Sequence, residues 1–328
     1  MSEGLYRLFE RNKTVYVCRL KTAQMKQLRF LLVLLMFPLS GFAWRADGHF
    51  TCGAIAYYYL KTNKPEVLPK IIDVLEHHPW YTTPRWSEKL AGLTGEQKNV
   101  ALFMLASTYP DDARSNPELG GGIKTKWHYV DYPFVPEGQN ITGRQPESPN
   151  AEEKINELLG SLKNETDLAQ KAVDLCWLFH LIEDVHQPLH SVSLYDSNHP
   201  DGDKGGNTTF ILFPTSTKPV GLHGYWDDLV KGTFDNVPEN ARELLNKPMY
   251  KESNLTQLTT GKTVHDWIVN ESFVIAKRDV YQNGKVNGTK DNPTQVDVSY
   301  GDNAVKIGER RVVLGGIRLA KKLELIFS

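Results

Sequence analysis

Residues 165–190 have the sequence ETDLAQKAVDLCWLFHLIEDVHQPLH, which carries the strongest helical pattern of the chain. Its apolar residues recur at helical spacing and Pro188 ends the pattern, so we predict a long amphipathic helix. His180 and Asp184 stand one helical turn apart and therefore share a face of that helix. His190 follows just beyond Pro188, where the chain can fold back toward the same helix end. The helix thus carries its polar chemistry at its carboxyl end.

Helical periodicity also dominates the rest of the chain after residue 43. The one convincing strand is NTTFILF, residues 207–213, which follows the turn-rich sequence SNHPDGDKGG. Long loops are expected at residues 110–148 and 280–300, where Pro, Gly and Asn concentrate. The sequence therefore predicts a mainly α protein, with a single helical domain over residues 44–328 and one small β-hairpin.

The segment MKQLRFLLVLLMFPLSGFA, Met25 to Ala43, has a basic start, an apolar run and small residues at its end. This is the pattern of a secretory signal peptide, so we predict that residues 25–43 are removed and that the protein is secreted or periplasmic. Residues 1–24 are interpreted as an upstream extension, which a start site assigned too early would explain. The competing interpretation is an uncleaved membrane anchor. The apolar run, residues 30–43, is too short for a stable membrane span.

Charge is distributed unevenly along the chain. Of the 38 basic and 39 acidic residues, 31 and 37 lie after Ala43, which leaves that part with a net charge of −6. A protein that binds nucleic acid by counterion release is basic, so chemistry on phosphate would here need positive charge from a bound metal. Two cysteines, Cys52 and Cys176, also follow Ala43. Whether they form a disulfide stays open, because the sequence does not give the distance between them.

Two pairs of the form His-x-x-x-Asp are candidate metal ligands. Zinc and similar ions bind imidazole nitrogens and carboxylate oxygens, and a spacing of one helical turn brings two such groups together. His180 and Asp184 form one pair, and His223 and Asp227 form the other. Side chains at this spacing often merely interact with each other on the helix surface, so one pair alone would be weak evidence. Two pairs together with His190 favour a metal site.

Two polar segments set among aromatic residues add further candidates. YPDDAR supplies Asp111 with Arg114 one turn later, and KWHYVDYP supplies His128, Tyr129 and Asp131. Each segment alone is interpreted as a surface loop. Its residues become candidates for the site only if they lie close to the candidate metal ligands.

The remaining histidines lack this spacing. His186 points away from His180 on the helix, so it is expected to be either a partner of a ligand or exposed. Four further histidines are predicted to lie on the surface: His77, His78, His199 and His265.

Taken in order, these elements resemble the zinc-dependent S1/P1 nuclease family. The shared motifs are W-x4-H, [WY]-x-D-x-x-R, W-H-Y-x-D, H-x3-D-x5-H with HQPLH, D-x-G-G-N and L-H-x-x-W-D. They extend from Trp44 to the C-terminal sequence GERRVVLGGIRLAKKL. The resemblance implies the phospholipase C/P1 nuclease fold over residues 44–328.

In that family a processed N-terminal tryptophan binds zinc through its α-amino group and carbonyl oxygen. Cleavage after Ala43 would make Trp44 that residue, and cleavage is required because an acylated nitrogen has no available lone pair. The resemblance implies three zinc ions (Zn²⁺), with Asp184 bridging the first two. The implied ligands are Asp111, His128, His180 and Asp184 for the first ion, Trp44, His49 and Asp184 for the second, and His190, His223 and Asp227 for the third.

The resemblance implies hydrolysis of single-stranded DNA and RNA to 5′-phosphate products, together with 3′-nucleotidase activity on 3′-mononucleotides. Two close zinc ions lower the pKa of a shared water, which implies that a hydroxide attacks phosphorus. Nothing in the pattern indicates an obligate protein partner. The implied catalytic residues are Asp111, Arg114 and Asp184, with Arg114 stabilising charge on the phosphoryl oxygens.

Three further residues are implied substrate contacts. Tyr129 would stack on a base, which explains a preference for unpaired strands, and Asp131 would contact that base. Asn207 would position the phosphate or support a ligand. The alternative for Tyr129 is ordinary core packing.

Two competing functions are a zinc-dependent phospholipase C, which also uses an N-terminal tryptophan and three zinc ions, and a non-catalytic zinc-binding protein. The D-x-G-G-N and HQPLH motifs and the aromatic–acid pair after His128 favour the nuclease over the phospholipase. Arg114 and the stacking aromatic are left unexplained by the non-catalytic alternative. The chain departs from the family pattern at Glu183, where a glycine is common, and at YPD, where Trp-Ala-Asp is usual. The extra charge at Glu183 is expected to alter zinc affinity or a contact near the site.

Overall fold

The computed structural model describes residues 44–114, 124–260 and 262–328, and within them the chain is mainly α-helical, as predicted. The predictions for residues 1–43, including the signal peptide, lie outside the described residues. The α-helices are α1 (Ala46–Asn63), α2 (Leu68–Glu76), α3 (Pro84–Leu90), α4 (Gly95–Arg114), α5 (Ala151–Ser161), α6 (Leu168–Asp184), α7 (Leu222–Asp227), α8 (Val237–Asn246), α9 (Gln257–Thr260), α10 (Phe273–Ile275) and α11 (Val298–Phe327). Short 3₁₀ segments include Lys124–His128 and Pro188–Ser191, and π-helical stretches, Asp266–Ser272 and Ala276–Val280, flank α10.

The β-structure is small. Strand β3 (Phe210–Leu212) pairs antiparallel with β4 (Val220–Gly221), which confirms the predicted hairpin, although the strand is shorter than residues 207–213. A third strand, β5 (Thr294–Gln295), adds to β3 in parallel. A separate parallel pair joins β1 (Pro133–Phe134) to β2 (Ser193–Leu194).

Helix α6 begins and ends for identifiable reasons. The side chain of Asp167 caps its start by accepting hydrogen bonds from the main-chain nitrogens of Ala169 and Gln170. The helix ends at Asp184, four residues before Pro188 begins the 3₁₀ turn. Helix α6 packs against α4, α5, α2 and α11. The sequence stretch that predicted the fold therefore lies at the centre of the helical core.

Two glycines allow neighbouring helices to approach α1 closely. A Cβ atom on Gly316 of α11 would lie 2.5 Å from Cγ2 of Ile55 and 2.7 Å from the carbonyl oxygen of Cys52. A Cβ atom on Gly53 of α1 would lie 2.5 Å from Oγ of Ser107 on α4. Separations under 3 Å do not fit a real side chain, so both crossings require glycine. The Gly53 contact sets the distance between the helices that carry His49 and Asp111.

Two predicted loops are shorter in the structure than the sequence indicates. Helix α4 continues through Pro110 to Arg114, although a loop was predicted from residue 110. Proline removes a main-chain hydrogen bond from a helix, but Pro110 and Ala113 are buried, and this tertiary packing overrides the local cost. The predicted loop at 280–300 also ends early, because Asp297 caps α11 by accepting a hydrogen bond of 2.9 Å from the Tyr300 nitrogen.

Two of the histidines predicted on the surface are buried, so that prediction is wrong for them. His78 stacks on Trp86 with ring centroids 4.3 Å apart. His199 lies 3.0 Å from Asp196 through Nδ1. Nδ1 of His78 accepts a hydrogen bond of 3.1 Å from the main-chain nitrogen of Trp80, and the carboxylate of Asp196 supports the buried ring of His199. His77 and His265 are exposed, as predicted.

His186 is fully buried, although the sequence left open whether it is exposed or a partner of a ligand. Its Nδ1 contacts the carbonyl oxygen of Ile182 at 2.7 Å, and Nη1 of Arg318 lies 2.8 Å from its Nε2. Cys52 and Cys176 are buried and unpaired, so the structure contains no disulfide between them. Across the described ranges, none of the helices combines the length and apolar character needed to cross a membrane.

Candidate metal centre

Six elements bring the predicted ligands to one place. Helix α1 contributes His49 from its first turn, α4 contributes Asp111 from its last turn, and α6 contributes His180 and Asp184 from its last turns. The 3₁₀ turn before residue 129 adds His128, and the turn at residue 188 adds His190. The short helix α7 carries His223 and Asp227. Three groups of these side chains could hold a metal ion: His49, His180 and Asp184; Asp111, His128 and His180; and His190, His223 and Asp227.

His180 lies at the centre of the group that also contains Asp111 and His128. Its Nε2 is 2.9 Å from Nδ1 of His128 and 3.7 Å from Oδ1 of Asp111. Oδ2 of Asp184 is 3.1 Å from both imidazole nitrogens. The four residues expected to share one ion therefore converge.

Asp184 joins this group to His49 and His190. Its other oxygen, Oδ1, lies 3.5 Å from Nε2 of His49 and 4.0 Å from Nδ1 of His190. The ring of His49 stacks on that of His180 with centroids 4.1 Å apart. One carboxylate thus faces two sets of candidate ligands, as a bridging ligand would.

Trp44 is held beside this carboxylate. Its ring is fully buried, and Nε1 donates a hydrogen bond of 3.2 Å to the carbonyl oxygen of Glu183. The main-chain nitrogen of Arg45 donates a bond of 3.2 Å to the carbonyl oxygen of Asp227. These bonds hold Trp44 between the segments that carry Asp184 and Asp227.

The third group combines His190 with α7. Nε2 of His223 is 3.4 Å from Oδ2 of Asp227, and the rings of His190 and His223 are 5.1 Å apart. Nε2 of Gln187 donates a hydrogen bond of 2.6 Å to the other oxygen of Asp227. Gln187 of the HQPLH motif therefore orients Asp227, a role that sequence reasoning did not assign.

Three histidines donate a hydrogen bond from Nδ1 to a main-chain carbonyl oxygen. His180 bonds to Ser107 at 2.8 Å, His190 to His128 at 2.7 Å and His223 to Gly205 at 2.5 Å. A carbonyl only accepts, so Nδ1 carries the proton and Nε2 keeps a lone pair for a metal.

The carbonyl of Gly205 reaches His223 because of its unusual backbone. Gly205 has φ of +64°, and a Cβ atom there would lie 2.5 Å from the carbonyl oxygen of Leu189. Only glycine fits both conditions, which explains this position of the D-x-G-G-N motif.

The donor set fits metal ions in two ways. Among the buried polar atoms that have no hydrogen-bond partner within the described residues, three face this cluster: Nε2 of His49, Nε2 of His190 and Oδ1 of Asp184. Each such atom costs about 1–3 kcal/mol unless something binds it. A mixture of imidazole nitrogens and carboxylate oxygens is also the set that zinc and related ions prefer.

Burial shapes the protonation of the cluster. It lowers the pKa of His49, His128 and His190 well below the usual value, and the neighbouring histidines lower it further, which favours the neutral ligating form. Burial also lowers the pKa of His180, but the charges of Asp184 and Asp111 outweigh it and raise the pKa. Burial raises the pKa of Asp184 to about 6.

Of the predicted substrate and catalytic groups, Arg114 contacts a candidate ligand, and Tyr129, Asp131 and Asn207 lie in segments next to candidate ligands or to residues that support them. Nη2 of Arg114 is 3.0 Å from Oδ1 of Asp111, which ties the guanidinium to a candidate ligand. Tyr129 is half-buried, whereas a residue packed in the core would be fully buried. Burial raises the pKa of the half-buried Asp131 to about 7. Asn207 is half-buried and donates through Nδ2 to the Lys204 carbonyl oxygen at 2.7 Å, within its own loop.

Two buried residues near His49 were not identified as site residues from the sequence. Oε2 of Glu183 lies 2.6 Å from Nδ1 of His49, and Oγ of Ser107 donates a hydrogen bond of 2.7 Å to Oε1 of Glu183. In the sequence, Glu183 stands out only as a charge where the family commonly has glycine. An acidic residue in the apolar part of a helix, beside a candidate ligand, can indicate a residue that supports the site. Ser107 has no spacing to a candidate ligand that would identify it from the sequence.

Comparison with known proteins agrees with this geometry. The model of the S1/P1 nuclease family matches residues 44–328, and the chain belongs to that family. Endonuclease 3 of Arabidopsis thaliana is 22% identical over 315 residues, covering 91% of this chain and 94% of that protein. Endonuclease 5 of Arabidopsis thaliana is 27% identical over 53% of this chain and 58% of its own length. Nuclease S1 of Aspergillus oryzae (strain ATCC 42149 / RIB 40) is 26% identical over 58% of this chain and 61% of its own length.

The resemblance inferred from the motifs is thereby confirmed, and the chain is a hydrolase that acts on phosphodiester bonds.

Proposed function

We propose that this nuclease hydrolyses single-stranded DNA and RNA to 5′-phosphate products and also acts as a 3′-nucleotidase on 3′-mononucleotides. The observation that carries the proposal is the set of three His/Asp groups, all buried except for the partly exposed Asp111, in each of which the ligand atoms lie within 4.8 Å of one another. The relatives named as endonucleases and as Nuclease S1 support the same reaction class.

Three zinc ions would be held by the nine residues implied by the family resemblance. The first set is Asp111, His128, His180 and Asp184, the second is Trp44, His49 and Asp184, and the third is His190, His223 and Asp227. Bound zinc would supply positive charge to phosphoryl oxygens and lower the pKa of a water toward neutrality. Such charge is needed because the chain after Ala43 has a net charge of −6.

The protein's own groups would orient the substrate. The guanidinium of Arg114, tied to Asp111 at 3.0 Å, would donate hydrogen bonds to a phosphoryl oxygen as charge develops there. The half-buried ring of Tyr129 would stack on a base, which requires an unpaired base and accepts any of the four. Asp131 would contact the edge of that base, and Asn207 would support the phosphate from its loop.

The start of the domain would become a ligand by processing. We propose that residues 25–43 direct export and are removed after Ala43, that residues 1–24 are an upstream extension, and that the protein is secreted or periplasmic. Support comes from Trp44, whose buried ring bonds to Glu183, and from Arg45, whose nitrogen bonds to Asp227. Both bonds hold this end of the chain at the cluster, where a free α-amino group would reach an ion.

One assay separates this function from the alternatives. The protein beginning at Trp44 is stripped with chelator, reloaded with zinc, and supplied in turn with denatured DNA, duplex DNA, a 3′-mononucleotide and lecithin. We expect cleavage of denatured DNA to 5′-phosphate ends, lost with chelator and restored by zinc. Release of phosphocholine from lecithin without DNA cleavage would instead indicate a phospholipase C. Zinc uptake without any hydrolysis would indicate a non-catalytic zinc-binding protein.

A further inference from the structure

Glu183 places a carboxylate inside the protein against a candidate ligand. Its side chain is 0% exposed, and Oε2 lies 2.6 Å from Nδ1 of His49. We propose that Glu183 is a positioning residue that holds His49 with Nε2 toward Asp184 and thereby sets the affinity of the metal site formed by Trp44, His49 and Asp184. This inference rests on the proposed metal centre.

His49 differs from three other candidate ligands, His180, His190 and His223, in the group that accepts a hydrogen bond from its Nδ1. His180, His190 and His223 bond to main-chain carbonyl oxygens, which carry only a partial charge. His49 alone of these four meets a carboxylate, which accepts the Nδ1 proton more strongly and makes the ring a better electron donor. With that proton on Nδ1, the lone pair of Nε2 points to the region of Asp184 Oδ1, 3.5 Å away. This Nε2 is one of the buried atoms without a hydrogen-bond partner.

Ser107 fixes Glu183 from the other side. Oγ of Ser107 donates a hydrogen bond of 2.7 Å to Oε1 of Glu183, while its carbonyl oxygen accepts one from Nδ1 of His180. One residue of α4 therefore orients His180 directly and His49 through Glu183. The absence of a Cβ on Gly53 leaves the space that Oγ of Ser107 occupies. The arrangement depends on all three helices, α1, α4 and α6.

Glu183 also contacts the other end of the same site. Its carbonyl oxygen accepts the indole hydrogen bond of Trp44 at 3.2 Å. The residue thus supports one proposed ligand with its side chain and a second with its main chain. The His190, His223 and Asp227 group is supported separately, by the carbonyl oxygens of His128 and Gly205 and by Gln187. A change at Glu183 should therefore affect one zinc site and leave this group unchanged.

The test is zinc binding, measured apart from catalysis. Glu183→Gln keeps the shape and an oxygen that accepts from His49 but removes the charge. In the protein beginning at Trp44, bound zinc is counted by elemental analysis and affinities are measured by competition with a chelator of known strength. We expect one site to weaken by about 10- to 100-fold while the remaining sites keep their affinity. The matched control is Glu157→Gln, a glutamate whose side chain is 63% exposed on α5, and it should bind zinc as the wild type does.

Ser107→Ala is the second variant, because it leaves the carbonyl bond to His180 in place and removes only the donor to Glu183. We expect it to weaken the same site by a smaller factor. If circular dichroism shows that Glu183→Gln is unfolded, Ser107→Ala becomes the variant that tests the role of Glu183. Unchanged zinc number and affinity in the folded variants would overturn the role of Glu183. A wild-type protein that takes up no zinc would instead overturn the proposed metal centre itself.

Discussion

The carbonyl oxygen of Ser107 on α4 accepts a hydrogen bond of 2.8 Å from Nδ1 of His180 on α6. This bond leaves Nε2 of His180 to face Asp184, Asp111 and His128. His180 belongs to two of the three groups that could hold an ion. The contact between two buried helices therefore determines the geometry of most of the candidate site.

His180→Ala should remove bound zinc and nuclease activity together. The substitution deletes a ligand atom that two groups share, so at least one ion should be lost and cleavage of denatured DNA should fall to background. Zinc content by elemental analysis and initial cleavage rates are the measurements. His265→Ala is the control, because its side chain is 56% exposed, and it should retain both properties. Cleavage at the wild-type rate in His180→Ala would contradict the proposed role.

Removing the metal should lower the stability of the fold. Without ions, the cluster buries carboxylates and imidazoles whose atoms lack partners, whereas an ion bound only by the folded chain stabilises it. At free zinc 1,000 times the dissociation constant, one site contributes about 4 kcal/mol. The melting temperature should rise by about 2–4 °C for each kcal/mol. Melting curves recorded with chelator and with added zinc test this, and coincident curves would exclude stabilisation by zinc.

Tyr129→Ala should raise KM for single-stranded oligonucleotides by about 5- to 150-fold, because stacking on one base contributes about 1–3 kcal/mol. Steady-state kinetics give KM and kcat separately, and kcat should change less than KM. Tyr129→Phe keeps the ring and should restore KM. The matched control is Tyr81→Ala, which removes a half-buried tyrosine from the segment between α2 and α3. If KM were the same in Tyr129→Ala and the wild type, the ring would have no role in binding.

The pair formed by His199 and Asp196 should make stability depend on pH. Burial lowers the pKa of His199, but the hydrogen bond to Asp196 and the charge of Asp203 outweigh burial, so the pKa lies above the usual 6.5. The charged form therefore stabilises the fold fully below pH 6.5, and this contribution is lost as pH rises through the folded-state pKa.

Urea unfolding of the wild type and of His199→Asn measures this contribution at two pH values, with zinc held constant. The difference in unfolding free energy between the two proteins should be larger at pH 6 than at pH 9. His77→Asn, at an exposed histidine, serves as the comparison and should show a small difference at both values. An equal difference for His199→Asn at the two pH values would refute the contribution of the charged ring.

Gly316→Ala should destabilise the protein by about 1–3 kcal/mol, since the new methyl group would overlap Ile55 and the carbonyl oxygen of Cys52. The control is Gly160→Ala on α5, where a Cβ atom meets nothing within 4 Å. That substitution should stabilise by about 0.5–1 kcal/mol, because alanine favours the helix. Urea denaturation measures both values. Equal stability of Gly316→Ala and the wild type would show that the crossing of α1 and α11 tolerates a side chain.

The sequence predicted the groups that depend on helical spacing. His180 with Asp184 and His223 with Asp227 converge because residues four apart share a helix face. The mainly α fold and the hairpin at Phe210–Leu212 followed from periodicity and turn chemistry. These features are local, so residue spacing alone is enough to predict them.

Features that depend on distant segments were missed. Ser107 and Glu183 are 76 residues apart, and no spacing rule connects them. His199 is buried by the fold of its own loop against Thr208 and Thr209, so a lack of partner spacing wrongly indicated the surface. Helix α4 continues through Pro110 because tertiary burial overrides the local cost of proline. Such outcomes are decided by packing, which a single sequence does not display.

The hydrogen bond from Arg45 to the Asp227 carbonyl oxygen ties the residue after Trp44 to the segment that carries a candidate ligand. In the processing that we propose, a precursor that still carries residues 25–43 would present an amide at Trp44 in place of a free amine. Its metal complement would stay incomplete during synthesis, and removal of these residues would act as an activating cut. A nuclease made this way would be inactive in the compartment that contains the cell's own RNA and would become active only after leaving it.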